Sequence, residues 1–70
     1  MDPDIITLGA RMRTARGEQS RRAISTAIGV TERTIARWEA GEGDGPPVGA
    51  LARYARACGV SLVSLVRGLS

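Results

Sequence analysis

An all-α fold, a compact bundle of five short helices, is what this sequence predicts, and three observations lead to it. Apolar residues recur at steps of three and four, and no stretch alternates as a half-buried strand would. Alanine and arginine, both good helix formers, are the most frequent residues, with leucine, another, on the apolar stripes. Glycine and proline cut the 70 residues into pieces of helix length joined by short connections. A chain of this size reads as a single domain over residues 1–70, without linker, repeat or low-complexity tract. Such a domain buries only about 60% of the surface of its unfolded chain.

Asp2-Pro3-Asp4 opens the first helix, with proline suited to the first turn and acids suited to the positive end of the helix dipole. It is expected to run to about Arg16 on a core face of Ile5, Leu8, Met12 and Ala15, with Arg11 and Arg13 pointing elsewhere and Gly17 ending it. Ser20 is the expected N-cap of a second helix reaching about Ile28, with Ala23, Ile24, Ala27 and Ile28 on one face. Gly29 lies where the backbone must reverse, and Thr31 can cap a third helix from about Glu32 to Ala40. Val30, Ile35 and Trp38 form its inner face, and Gly41 stops it. Trp38 could offer a stacking platform to a base, but its place three residues after Ile35 turns it inward. Pro46 and Pro47 close a glycine-rich loop and set the start of a fourth helix, whose expected stripe is Val48, Leu51, Ala52, Ala55 and Cys58 with Tyr54 at the edge. Gly59 ends it. Ser61 then caps a short fifth helix, about residues 61–68, that packs Leu62, Leu65 and Val66 inward.

The ten basic residues are all arginine, against seven acids, giving a net charge of +3. That balance fits a nucleic-acid partner, as it fits many inert small proteins. One cysteine, Cys58, permits no internal disulfide and points to a reducing, cytoplasmic setting, with the thiol in the core. With no histidine, neither a soft-metal site nor a histidine-assisted nucleophile can be assembled, so no cofactor and no enzymatic activity are expected. No apolar run approaches the length of a membrane span, and the first residues lack the pattern of a secretory leader.

Residues 20–41, SRRAISTAIGVTERTIARWEAG, are therefore two amphipathic segments around a tight turn, a helix-turn-helix. On the outer face of the second segment lie Glu32, Arg33, Ala36 and Arg37, side chains whose reach and donors suit base edges in a major groove. Arg21 and Arg22 stand in the first turn of their helix, where the helix dipole prefers acids. They suit an external anion such as a DNA phosphate, or else a solvated surface pair.

The blocks LGARMRTAR, AIGVTERTIARWEAG and LARYARACGVSLVSLV, in that order and spacing, resemble the Cro/repressor-type (XRE-like) helix-turn-helix regulators over residues 5–68. The resemblance implies a lambda-repressor-like five-helix domain, dimeric on a palindromic operator, in most cases a transcriptional repressor. It places base contacts at Thr31, Glu32, Arg33, Ala36 and Arg37, and phosphate contacts at Ser20, Arg21, Arg22 and Thr34. Arg33 is the leading base reader, since a guanidinium can donate twice to guanine for about 1–3 kcal/mol of discrimination. Glu32 could accept from a cytosine, orient Arg33 or complement the helix dipole. Ala36 offers a methyl contact, and Arg37 reaches a base or a phosphate. Glu39 resembles the acid that pairs with an arginine of the first helix, here Arg16.

Four departures from the family pattern stand out. Arg21 replaces a usual glutamine, which should keep phosphate binding but lose the brace that glutamine gives to a third-helix side chain. The connection between the first two helices is about two residues shorter than usual. Ser25 replaces an alanine, with a hydroxyl able to bond a backbone carbonyl. Glu42 and Asp44 occupy a loop that normally carries basic residues, so either the loop swings away from DNA or affinity falls.

The fifth helix is apolar on most sides, and Val63, Val66 and Leu69 are expected to form a symmetric homodimer contact. The expected function is a regulator binding double-stranded DNA in a prokaryotic or phage setting, in association with the nucleoid, with no membrane and no small-molecule ligand. The competing reading is a protein-interaction module on the same fold, antitoxin-like or anti-repressor-like.

Overall fold

The computed structural model describes residues 3–69 and contains five helices: α1 (Pro3–Arg16), α2 (Arg21–Ile28), α3 (Glu32–Glu39), α4 (Val48–Cys58) and α5 (Leu62–Val66). Asp2, expected at the opening of α1, lies outside the described residues. No strand occurs among the described residues, and none of the helices there is long and apolar enough to cross a membrane.

Three of the five helices start by the same device. Ser20, Thr31 and Ser61 hold extended backbone, and each side-chain oxygen accepts from the N–H three residues on, at 3.0 Å from Ala23, 3.1 Å from Thr34 and 3.2 Å from Ser64. A cap of this kind contributes about 1 kcal/mol. Between α2 and α3, Gly29 adopts φ 75° and ψ 29°, with no atom near enough to obstruct a side chain. The turn therefore asks for glycine on conformational grounds alone. The Ser25 hydroxyl donates to the Val30 carbonyl oxygen and ties the end of α2 to the residue before the Thr31 cap.

One fully buried side chain comes from each helix: Met12, Ile24, Ile35, Tyr54 and Leu65. Around them close Ile28, Trp38, Leu51 and Ala55, with Leu8, Ala15, Val30, Leu62 and Val66 half-buried at the margin. The expected face of α4 is corrected by about one residue. Ala50, Leu51, Tyr54 and Ala55 point in, while Val48 is 75% exposed and Ala52 is on the surface. The shift follows from Tyr54, expected at the edge but wholly enclosed, because its hydroxyl finds buried partners and the ring need not stay near water. Ala23 and Ala27 are likewise exposed rather than on the inner face of α2, and Cys58 is half-buried at the core margin rather than within it. Trp38 is buried, as its spacing from Ile35 implied.

The fifth helix is shorter than expected, because Arg67 leaves helical geometry at ψ 126°. Its freed carbonyl oxygens are met by Arg11, whose guanidinium donates to Leu65 O at 3.2 Å and Arg67 O at 2.6 Å. Arg11 thus links α1 to α5 instead of pointing away from the bundle.

One contact fixes how near α1 and α3 come. Gly9 is buried against the C-terminal turn of α3, and a Cβ there would lie 2.8 Å from Glu39 O and nearer still to Trp38 O. Here the requirement is space rather than backbone conformation.

Candidate nucleic-acid interface

Helix α3 divides sharply into two faces. Ile35, Trp38 and Glu39 are buried, whereas Glu32, Arg33 and Arg37 are exposed, Thr31 is exposed at the cap, and Thr34 and Ala36 are half-buried between the two sets. The Thr31 and Thr34 hydroxyls lie 2.9 Å apart, so the polar groups at the start of the helix are preorganised by each other. Ser20 and Arg22 are exposed at the start of α2. The side chains expected to face DNA are therefore on the surface or half-buried.

Behind that surface sits a charged cluster. The Glu39 side chain is 2% exposed and accepts from Arg16 twice, Nε to Oε2 at 2.7 Å and Nη2 to Oε1 at 2.9 Å. Arg21 Nε donates to Oε1 at 3.2 Å. The Tyr54 hydroxyl lies 2.7 Å from Oε2 and 2.8 Å from Met12 O, and its one proton favours the charged acceptor. Burial by itself would push the Glu39 carboxyl up, but the hydrogen bonds from Arg16, Tyr54 and Arg21 outweigh it and hold the group below the usual carboxylate range. The same bond raises Arg16 against an opposing effect of burial. Burial, then the neighbouring carboxylate, pushes the Tyr54 phenol and the Cys58 thiol up. The cluster joins α1, α2, α3 and α4 at one carboxylate.

Arg21 corrects one expectation. Far from losing the brace to α3, the arginine supplies it through Nε, because its longer side chain folds back from the start of α2 onto Glu39. The loop after α3 is tied back to the helix: Glu42 N donates to Arg37 O at 3.0 Å, and Gly43 lies against the Arg37 guanidinium. A polar cleft of ≈ 230 Å³ separates α3 from this loop, bounded by Thr34, Arg37, Trp38, Glu42 and Asp44. The two acids therefore temper the field around the last exposed arginine of α3.

On α5, Val63 is 59% exposed, whereas Val66 and, beyond the helix, Leu69 are half-buried and line a cleft with Ile5, Leu8 and Leu51. Gly9 and Tyr54, which hold α3 in place, were not singled out from the sequence for that role. The one signal for Gly9 was a glycine within a helical pattern, which can mark close packing. No group of three or more histidine, cysteine, aspartate or glutamate residues that could hold a metal ion occurs among the described residues.

Residues 7–67 match the family model described as a helix-turn-helix domain. The chain belongs to the helix-turn-helix domain family. Its fold is that of the lambda-type repressors, as the resemblance of the three sequence blocks implied. The restriction-modification controller protein C.AhdI from Aeromonas hydrophila superposes with a TM-score of 0.83 at 18% identity, covering 91% of this chain and 98% of that one. The P22 c2 repressor, solved with a synthetic operator, is 27% identical with a TM-score of 0.76, over 87% of this chain and 94% of that one. This helix-turn-helix fold also occurs as a part of larger proteins. FeII HppE in complex with substrate matches at 27% identity and a TM-score of 0.77, over 87% of this chain but only 35% of that one. No curated protein sequence is similar enough to match.

Proposed function

We propose that this helix-turn-helix chain is a sequence-specific regulator of transcription that binds double-stranded DNA and acts as a repressor. In this reading it is one domain over residues 1–70, working in the cytoplasm of a prokaryote or its phage. The observation that carries the reading is the two-faced α3, whose inner side is committed to the core while Glu32, Arg33 and Arg37 remain exposed. The P22 c2 repressor, crystallised on a synthetic operator, supports DNA as the partner. Thr31, Glu32, Arg33, Ala36 and Arg37 meet bases in the major groove. Ser20, Arg21, Arg22 and Thr34 meet phosphates, which set register without reading sequence. A homodimer through Val63, Val66 and Leu69 would set the two α3 helices about 34 Å apart on a palindromic operator.

Selection of bound sequences from a random duplex pool tests this, with the intact chain and Arg33→Ala in parallel. Enrichment of a palindrome whose specificity relaxes at one symmetric base pair in the variant is the expected result. With about six phosphate contacts, the slope of log K against log salt should be near −5. A monomer by sedimentation at micromolar concentration, both free and on DNA, would remove the dimer.

The second reading, a protein-interaction module, draws on Glu42 and Asp44 beside Arg37. No enrichment even at low salt would favour it.

A further inference from the structure

Helix α5 is lightly seated. It has five residues and fully buries one of them, Leu65. Two open clefts adjoin it. One of ≈ 310 Å³ lies where Leu65 and Ser64 face Arg11, Thr14 and Ala15 of α1, and one of ≈ 280 Å³ where Val66 and Leu69 meet Ile5, Leu8 and Leu51. A helix of one turn has no stability of its own, and unfilled space beside it forfeits the contacts that would resist a rotation. Leu65 alone is therefore a pivot, and a second fixed point is needed to aim the rest of the helix.

Arg11 supplies that point. Its Nη1 donates to Leu65 O at 3.2 Å and Arg67 O at 2.6 Å, carbonyl oxygens that the end of α5 leaves without a helical partner. The cation also suits the negative end of the helix. Leu69 N then donates to Val66 O at 3.0 Å, so the turn that carries Leu69 starts from the clamped segment. Val63 precedes the clamped carbonyls, Val66 lies between them, and Leu69 follows.

We propose that Arg11 is a positioning residue for dimerisation: by clamping the end of α5 it fixes the direction in which Val63, Val66 and Leu69 meet a second copy of the chain, and so the half-site spacing that the pair accepts on DNA. The inference rests on the dimeric, DNA-binding reading above. In a two-fold assembly both copies present the same surface, so a tilt of α5 in one is repeated in the other and acts twice on the separation of the α3 helices. The fraction of each copy with α5 correctly aimed likewise enters twice. A fall in that fraction to about one third weakens the dimer about tenfold.

The test combines sedimentation equilibrium of the full chain with binding to duplexes whose two selected half-sites are moved apart in single base-pair steps. The unmodified chain should dimerise and prefer one spacing, about one helical turn between centres. Arg11→Met keeps an apolar stem without donors. It should weaken the dimer about tenfold and spread affinity over neighbouring spacings. Arg11→Lys keeps a cation in reach of the carbonyl oxygens and should recover most of both effects. Gly29→Ala lowers stability in the turn between α2 and α3 instead, and should leave the dimer constant unchanged. Circular-dichroism melts verify folding, and Arg11→Gln is read by the same two criteria should Arg11→Met not fold. A folded Arg11→Met that dimerises like the unmodified chain, or that keeps the single spacing, overturns the proposal while leaving the dimer in place. An unmodified chain that is monomeric both free and on DNA removes the dimer reading and this inference with it.

Discussion

The turn between α2 and α3 is held by contacts spanning no more than five residues: Gly29 N to Ser25 O, Ser25 Oγ to Val30 O, and Thr34 N to Thr31 Oγ1. The cluster that steadies the far end of α3 joins Glu39 to partners 15, 18 and 23 residues away. The turn uses backbone conformation and neutral hydrogen bonds near the surface, so its parts act independently and losing one costs little. The cluster uses charge in a water-poor setting, where removing one member leaves the others unpaired. The difference between them is a difference in how damage spreads.

Glu39→Ala should break the comparison most severely. It strands the Arg16 guanidinium, leaving the Tyr54 hydroxyl with Met12 O alone, and should cost about 4 kcal/mol, a fall in Tm of roughly 15–30 °C for a chain of this size. Glu42→Ala, an acid in the exposed loop, should stay within about 0.5 kcal/mol. Circular-dichroism melts of the two variants make the contrast direct. Gly9→Val comes next at about 3 kcal/mol, because its side chain would meet backbone carbonyls of α3 that cannot turn aside. A urea midpoint that hardly moves would show that α1 and α3 separate more easily than their contact suggests.

Tyr54→Phe keeps the ring and removes one buried donor, for an expected loss of about 1.5 kcal/mol by denaturant titration. Gly29→Ala in the turn should cost only about 1 kcal/mol, since the obstacle there is the left-handed backbone alone. The smallest effect near neutrality is that of pH. Glu39 titrates lower in the folded chain, so its contribution is complete above the unfolded carboxyl value of about 4.3 and is lost as pH falls through the folded value. Cys58 and Tyr54 titrate higher when folded. Their contributions are complete below the unfolded values of about 8.5 and 10 and are lost as pH rises from there. A stability plateau between roughly pH 5 and 8 is expected, and Glu39→Gln should flatten its acid side.

The same contrast explains what could be read from the chain alone. Ser20, Gly29, Thr31 and Ser61 announce helix boundaries through their own chemistry, so the five helices and the turn were legible to within a residue or two. The two faces of α3 were legible because spacing settles which residues turn inward. Tyr54 was misplaced because periodicity sees its apolar ring and not the carboxylate and carbonyl waiting for its hydroxyl. The bond from Arg21 to Glu39 was not legible, because the spacing of the two residues carries no helical signature. The early end of α5 has a similar origin, in the Arg11 donors that only the assembled bundle supplies.

Arg11 meets the carbonyl oxygens of residues 54 and 56 positions later in the chain. On the ribosome, at about 5–20 residues per second, roughly 3–10 s pass between making Arg11 and making Leu65. A helix forms in about a microsecond. The Met12 face of α1 is therefore made well before its cover, and some 54 further residues are added before Leu65 exists to pack on it. The interval in which the nascent chain is open to aggregation or proteolysis is set by synthesis, and it closes when Leu65 and the Arg11 clasp arrive together.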